Sequence, residues 1–167
     1  QAGVGKTTTV KALVASRISS LPVIDLNAGR IANQKSVEPE YNAAIAFCSF
    51  MGKAVQQIKR ALPEEYHPMC QTIHALLGYT PEFEERIHED TKEIYNVKVF
   101  RPSFTALNKL PYKEVYVDEA GSVPIYLFNE LVAALNPDCK IILMGDLNQL
   151  PPVTGRSVLG FAISKWP

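Results

Sequence analysis

The chain has 167 residues, which is enough for one domain, or for one domain with a small insertion. Lysine and arginine together number 17, as do aspartate and glutamate together, and this balance excludes a histone-like protein with a uniformly basic surface but allows a local basic groove. No apolar stretch is long enough for a transmembrane helix or a signal peptide, so we expect no membrane partner.

The first predicted element is a glycine-rich loop that leads into an amphipathic helix. The chain begins with Gln1-Ala2-Gly3-Val4-Gly5-Lys6-Thr7-Thr8, nearly all of the phosphate-binding pattern G-x-x-x-x-G-K-[ST]. Apolar residues at helical spacing predict a helix from Thr7 to about Ser19. The first glycine of the pattern would lie before Gln1, so we interpret the chain as a piece of a longer protein.

The next elements alternate between irregular, strand and helix predictions. Residues 20–40 are mixed and polar and predict an irregular insertion, whereas Ala43–Phe47 predicts a buried strand. Apolar residues from Ala54 to Leu62 predict a second amphipathic helix, which Pro63 ends. Thr72–Leu77 predicts a short helix with Gly78 as its stop.

Residues 79–113 form a connection too long to lack structure of its own. Phe83–Ile87 and Glu93–Phe100 are rich in branched and aromatic residues, and the polar segment His88–Thr91 separates them. These features predict a β-hairpin. Its acidic composition makes phosphate binding by the hairpin itself unfavourable.

The last third of the chain predicts two strands that each end in a carboxylate, Glu114–Asp118 and Lys140–Asp146. Between them, Ser122 is predicted to cap a helix whose apolar face is Ile125, Phe128, Leu131, Val132 and Leu135. Alternating strands and helices predict an α/β fold with a mainly parallel sheet flanked by helices. Ligands are then expected at the carboxyl ends of the strands.

The glycine-rich loop carries the residue types that bind a nucleoside triphosphate. Glycines let backbone N–H groups point at phosphate oxygens, and the following helix contributes its positive amino end. We expect Lys6 to contact the β- and γ-phosphates of ATP and Thr7 to ligate Mg²⁺. The predicted nucleotide-binding residues of this loop are Gly3, Val4, Gly5, Lys6, Thr7 and Thr8. A chance glycine-rich turn is the alternative.

Two strand ends carry the remaining predicted chemistry. Asp118 is expected to hold Mg²⁺, and the adjacent Glu119 to orient or deprotonate the attacking water. Gln149 follows Asp146 in a Gly-Asp-Leu-Asn-Gln segment and is expected to bond the γ-phosphate or its water. The predicted catalytic residues are thus Lys6, Glu119 and Gln149; a strand followed by a polar turn is the simpler alternative for Asp118 and Glu119.

The segments G-K-T, D-E-A and G-D-x-x-Q-L-P-P-V occur here in that order, and together they resemble superfamily 1 helicases of the RecD/Dda type, which includes bacteriophage enzymes. The resemblance implies that this chain is the first of two RecA-like P-loop domains. The second such domain is then expected outside this chain. It also implies ATP and Mg²⁺ as cofactors and single-stranded DNA and duplex junctions as partners. The implied activity is ATP-driven 5′ to 3′ translocation with duplex unwinding.

Two further segments agree with this family. Phe47–Ala54 is similar to motif Ia, and Gln71–Tyr79 is similar to the T-[IL]-H-x-[LI]-L-G signature. The resemblance implies nucleic-acid contacts by Ser49, Phe50, Lys53, Thr72 and His74, although packing or capping roles remain alternatives for the last two and for Phe50. Departures are Gly121, where the family commonly has serine, and Ser49 and Phe50, which replace Thr and His or Asn.

The resemblance divides the chain into three parts: residues 1–78 and 114–167 as the two parts of RecA-like domain 1A, and residues 79–113 as a 1B-type hairpin insertion. Cys48, Cys70 and Cys139 fit neither a disulfide framework nor a metal cluster, so we expect the protein to act inside a cell. The resemblance implies the cytoplasm of a bacterial or phage-infected cell. The alternatives are a viral-type superfamily 1 RNA helicase, an AAA+-like ATPase that remodels protein partners, and a non-catalytic binding remnant.

Overall fold

The computed structural model describes residues 11–12, 14–30, 38, 40–146 and 158–165. The predicted loop residues Gly3, Val4, Gly5, Lys6, Thr7 and Thr8 lie outside these ranges, as does Gln149. The helices are α1 (residues 11–12 and 14–17), α2 (Gly52–Ala61), α3 (Ile73–Leu76), α4 (Ile125–Ala134) and α5 (Val158–Lys165). The strands are β1 (Val23–Asp25), β2 (Tyr41–Ala43), β3 (Ile45–Ser49), β4 (Cys70–Thr72), β5 (Thr80–Ile87), β6 (Ile94–Arg101), β7 (Glu114–Asp118) and β8 (Lys140–Leu143). Within the described ranges, no helix is both long and apolar enough to span a membrane.

A four-stranded parallel sheet in the order β4-β3-β7-β8 forms the centre of the fold. Every residue of β3 is buried, and β7 is buried up to its last residue, because both strands are covered on two faces. Phe47 of β3 stacks on Tyr116 of β7, with the ring centroids 5.1 Å apart. This sheet, with helices flanking it, confirms the predicted α/β class.

Two of the predicted helices are confirmed close to their expected ends. Helix α2 buries Ala54, Val55, Ile58 and Ala61 on one face, and it ends just before Pro63. Helix α3 begins after Thr72, whose Oγ1 accepts a hydrogen bond from the backbone N–H of Ala75 at 3.2 Å. Gly78 follows it with φ +65°, a left-handed conformation that suits glycine at a helix end.

The prediction of an irregular segment over residues 20–40 is wrong in part, because β1 pairs antiparallel with β2. β1 is only three residues long, Val23-Ile24-Asp25, so its sequence is too short to show the alternation of apolar and polar residues that predicts a strand. The pairing of β1 with β2 is supported by hydrogen bonds from backbone groups to the side chain of Asp25, the last residue of β1. Oδ1 of Asp25 accepts hydrogen bonds from the backbone N–H groups of Asn27 at 2.9 Å and Glu40 at 3.0 Å.

The prediction for helix α4 is also wrong in two details. Pro124 occupies the capping position, whereas the hydroxyl of Ser122 donates to the carbonyl of Glu119. Leu127 belongs to the buried face, while Val132 is 43% exposed. The following strand, β8, ends at Leu143 and not at Asp146, because the chain leaves the sheet before the Gly-Asp segment.

The predicted hairpin is confirmed: β5 and β6 pair antiparallel, with register partners running from Thr80–Arg101 to Ile87–Ile94. Its two faces differ in character. One carries ion pairs of Arg101 with Glu82 and Glu84. The other leaves apolar side chains exposed, namely Phe83, Ile87, Ile94 and Phe100.

Candidate active site

Three predicted site residues lie next to one another at the carboxyl edge of the parallel sheet. Ser49 of β3 is in register with Asp118 of β7 on one side and with Thr72 of β4 on the other. In-register residues of parallel strands project from the same face, as the stacked rings of Phe47 and Tyr116 illustrate two positions earlier. Segments that are far apart in the sequence therefore converge on one edge, where α/β proteins bind ligands.

The two predicted carboxylates belong to a tightly bonded turn at the end of β7. Oδ1 of Asp118 accepts a hydrogen bond from the backbone N–H of Glu119 at 2.9 Å. Glu119 has a left-handed backbone with φ +50° and ψ +42°, which is unfavourable for a residue with a Cβ. The backbone N–H and the hydroxyl of Ser122 both donate to the Glu119 carbonyl, at 2.9 and 2.8 Å. These bonds offset the strain and hold the turn.

The Gly-Asp segment after β8 packs directly against this turn. The backbone N–H of Ala120 donates to the carbonyl of Met144 at 2.9 Å. A Cβ added to Gly145 would lie 3.4 Å from the backbone nitrogen of Ala120 and 2.8 Å from Cδ2 of Leu159. A larger residue would therefore displace the Leu159 side chain and touch the backbone of the turn. The predicted sensor Gln149 lies outside the described residues, and its role remains a prediction.

The described residues fit a hydrated Mg²⁺ ion at this edge. Asp118 supplies the carboxylate oxygens that Mg²⁺ prefers. Beside it, Ser49 is fully buried, and its Oγ lacks a hydrogen-bond partner within the described ranges. Those ranges contain no group of three or more His, Cys, Asp and Glu side chains that could hold a metal alone. A nucleotide-bound Mg²⁺ needs no such group, because phosphates and waters supply most of its ligands.

The other predicted nucleic-acid residues lie around the starts of α2 and α3. Lys53 is exposed in the first turn of α2. The ring of His74 lies between those of Phe50, 6.0 Å away, and Tyr79, 5.2 Å away, by centroid distance. Thr72 caps α3, which gives its hydroxyl a structural role whether or not it contacts a ligand. Contacts of these residues with nucleic acid remain predictions.

Tyr79 and Glu130 form a bond that the sequence did not predict. The Tyr79 hydroxyl donates to Oε2 of Glu130 on α4. This bond links the neighbouring rings of Phe50, His74 and Tyr79 to the helix that follows the turn at the end of β7. Burial, and then the bond to Glu130, raise the pKa of Tyr79. The two residues are far apart in the sequence, and the only hint of a partner was that Glu130 is the one charged residue of a mainly apolar helix.

A second unpredicted pair joins α1 to the start of β7. Arg17 donates to the carboxylate of Glu114, which is 3% exposed, and the Tyr116 hydroxyl donates to the same carboxylate at 3.0 Å. Burial alone would raise the pKa of Glu114. The hydrogen bonds from Arg17 and Tyr116 and the charge of Arg17 outweigh it and hold the pKa below its usual range.

The sequence is similar to a known family and to several characterised proteins. The profile of a family described as "AAA domain" matches residues 1–155. The RecBCD enzyme subunit RecD of Mycobacterium tuberculosis is 28% identical over 169 residues, covering 94% of this chain and 24% of the relative. The ATP-dependent RecD2 DNA helicase of Deinococcus radiodurans is 30% identical over 161 residues, covering 96% of this chain and 16% of the relative. The chain thus spans a quarter or less of the length of these relatives.

Proposed function

The chain belongs to the AAA domain family and to the RecD type of superfamily 1 helicases, and from that premise we propose that it is the first RecA-like motor domain of an ATP-dependent DNA helicase. One observation carries the proposal: Thr72, Ser49 and Asp118 are in register at one sheet edge, with Glu119 next to Asp118. A metal-binding carboxylate thereby neighbours the segments expected to contact DNA. Such proximity is what coupling hydrolysis to movement requires.

The pair between Arg17 and Glu114 supports an ATP site at the same edge. It attaches the end of α1 to the first residue of β7. In the predicted helix, which runs from Thr7 to about Ser19, the first residue would lie about 15 Å from Arg17 along the axis, and β7 from Glu114 to Asp118 spans about 13 Å. If the helix runs antiparallel to the strand, as crossover helices do, its first turn comes level with Asp118.

In this proposal each nucleotide-site residue has one task. Backbone N–H groups of Gly3, Val4, Gly5 and Thr8 surround the phosphates, Lys6 neutralises their charge, and Thr7 and Asp118 hold Mg²⁺. When bound, Mg²⁺ stabilises the charge that develops on the phosphate oxygens. Glu119 orients or deprotonates the attacking water. Gln149 hydrogen-bonds the γ-phosphate or its water, and it changes partner when the phosphate is hydrolysed.

The DNA-contacting surface comprises Phe50, Lys53, Thr72 and His74. The exposed Lys53 suits a backbone phosphate, and the half-buried rings of Phe50 and His74 suit stacking against a base. We further propose a division into residues 1–78, 79–113 and 114–167, with the hairpin in the middle part acting as a pin that separates duplex strands. The pin role rests on the family resemblance and on the hairpin's position between the T-I-H and D-E segments.

The remaining proposals concern the protein as a whole. A second RecA-like domain completes the motor, and movement along single-stranded DNA runs 5′ to 3′. The relatives named as RecBCD subunits indicate a role in DNA recombination or repair, with further protein partners. The protein acts in the cytoplasm of a bacterial or phage-infected cell.

The test is hydrolysis and unwinding by a protein that carries this chain together with the second motor domain. We expect single-stranded DNA to stimulate ATP hydrolysis, Asp118→Ala to weaken Mg²⁺-dependent ATP binding, and Glu119→Gln to retain binding but lose turnover. Normal turnover by Glu119→Gln would contradict the assignment of that carboxylate. Stimulation by RNA but not DNA would favour the RNA helicase, and ATPase activity that needs neither would favour a protein-remodelling ATPase.

A further inference from the structure

The hydroxyl of Ser49 is a buried polar group without a partner in the described part of the chain. Ser49 is 0% exposed, and neither the backbone nor a side chain in the described ranges bonds its Oγ. Leaving a hydroxyl unpaired in a protein interior is unfavourable, because the group loses the hydrogen bonds that it makes to water in the unfolded chain. Such a group calls for an explanation, and a ligand absent from the structure is one.

The strand register identifies what this hydroxyl faces. Ser49 and Asp118 are in-register partners on neighbouring parallel strands, so their side chains project from the same face. That face also carries Glu114, which binds Arg17 of α1. Ser49 therefore lies on the side of the sheet covered by the helix that follows the glycine-rich loop. On this face Ser49 neighbours the predicted metal carboxylate of Asp118, whereas the exposed Lys53 lies in the first turn of α2.

We propose that Ser49 is a positioning residue for the metal site, whose hydroxyl donates a hydrogen bond to the water shell of the Mg²⁺ ion held by Asp118. Neighbouring strands are about 4.8 Å apart, a span that a hydroxyl, a carboxylate and one water between them can bridge. This inference rests on the proposed ATP site. It replaces the DNA-contact role that the family resemblance implied for Ser49.

The test compares Ser49→Ala with Cys48→Ala in a protein that carries this chain and the second motor domain. Cys48 is the matched control, since it is equally buried on the same strand but projects from the opposite face. A fluorescent non-hydrolysable ATP analogue is titrated at a series of Mg²⁺ concentrations, Mn²⁺ binding is followed by electron paramagnetic resonance, and a labelled DNA oligonucleotide is titrated without nucleotide.

For Ser49→Ala we expect the Mg²⁺ concentration at half-maximal analogue binding to rise by up to about tenfold, the upper end of the effect of one ordinary hydrogen bond. Mn²⁺ binding should weaken in parallel, whereas analogue binding without metal and DNA binding should not change. Cys48→Ala should leave all four measurements unchanged. Should Ser49→Ala not fold, Ser49→Cys keeps the volume but donates weakly, and the same direction of change is expected.

Two outcomes would overturn the inference, and they are distinguishable from failure of the proposed function. If DNA binding weakens while the Mg²⁺ dependence is unchanged, Ser49 is a nucleic-acid contact and the ATP site still stands. If Ser49→Ala matches the unmodified protein in every titration, the hydroxyl has no ligand. If instead the unmodified protein binds no ATP analogue with or without metal, the proposed function fails and this inference fails with it.

Discussion

The left-handed backbone of Glu119 predicts that stability and hydrolysis will change in opposite directions when this residue becomes glycine. Glu119 has φ +50°, and a side chain in that conformation costs about 1–2 kcal/mol. Glycine removes this strain but gives the unfolded chain more freedom, which costs about 0.4–1 kcal/mol. Alanine keeps the Cβ and so keeps the strain.

We therefore expect Glu119→Gly to be more stable than Glu119→Ala by about 0.5–1 kcal/mol, the difference between the strain and the entropy cost. In a domain of this size, that raises the melting temperature of the glycine variant by about 1–4 °C relative to the alanine variant. Both variants keep the backbone bond to Ser122, and both should lose ATP turnover because the carboxylate is gone.

Thermal unfolding of the two variants, paired with steady-state ATPase measurements, tests this reasoning. Lys92 is the matched control, since it is the other non-glycine residue with positive φ among the described residues, at +59°, in the exposed hairpin turn. Lys92→Gly should likewise be more stable than Lys92→Ala, with ATPase activity intact in both. Equal stability of Glu119→Gly and Glu119→Ala would refute the strain at the site.

Three more predictions concern folding and the hairpin. Glu114 has a lowered pKa in the folded protein, so its ion pair stabilises the fold at neutral pH and stabilises it less as the pH falls through the folded pKa. Arg17→Gln should therefore lower the melting temperature more at pH 7 than at pH 3. An equal loss at both pH values would contradict the ion pair. Gly78→Ala, with φ +65° and a Cβ 3.0 Å from Cβ of Ser103, should destabilise by about 2 kcal/mol, whereas Gly52→Ala, with nothing within 4 Å, should not destabilise. Replacing residues 87–92 by a short Gly-Ser turn should reduce unwinding but spare DNA-stimulated ATPase activity; joint loss of both, with lower thermal stability, would count against the pin.

The sequence by itself determined the elements whose signals are local. Helix α2 was predictable because its apolar residues repeat at helical spacing and a proline follows them. The strands β3 and β7 were predictable because buried parallel strands are continuous apolar runs, and the hairpin because two branched, aromatic runs enclose a polar turn. The nucleotide and helicase segments were recognisable for the same reason, since each is a short run of residues.

Only the tertiary structure decided how these elements meet. Strand order brings Ser49 beside Asp118, although β4 and the whole hairpin lie between them in the sequence, and it buries the Ser49 hydroxyl, which the sequence did not predict. The bond from Tyr79 to Glu130 and the pairing of β1 with β2 likewise depend on segments that fold together from a distance. Local periodicity reports only which face of an element is buried. Which neighbour covers that face is set by long-range packing, where shape and hydrogen bonding across the whole core select one arrangement.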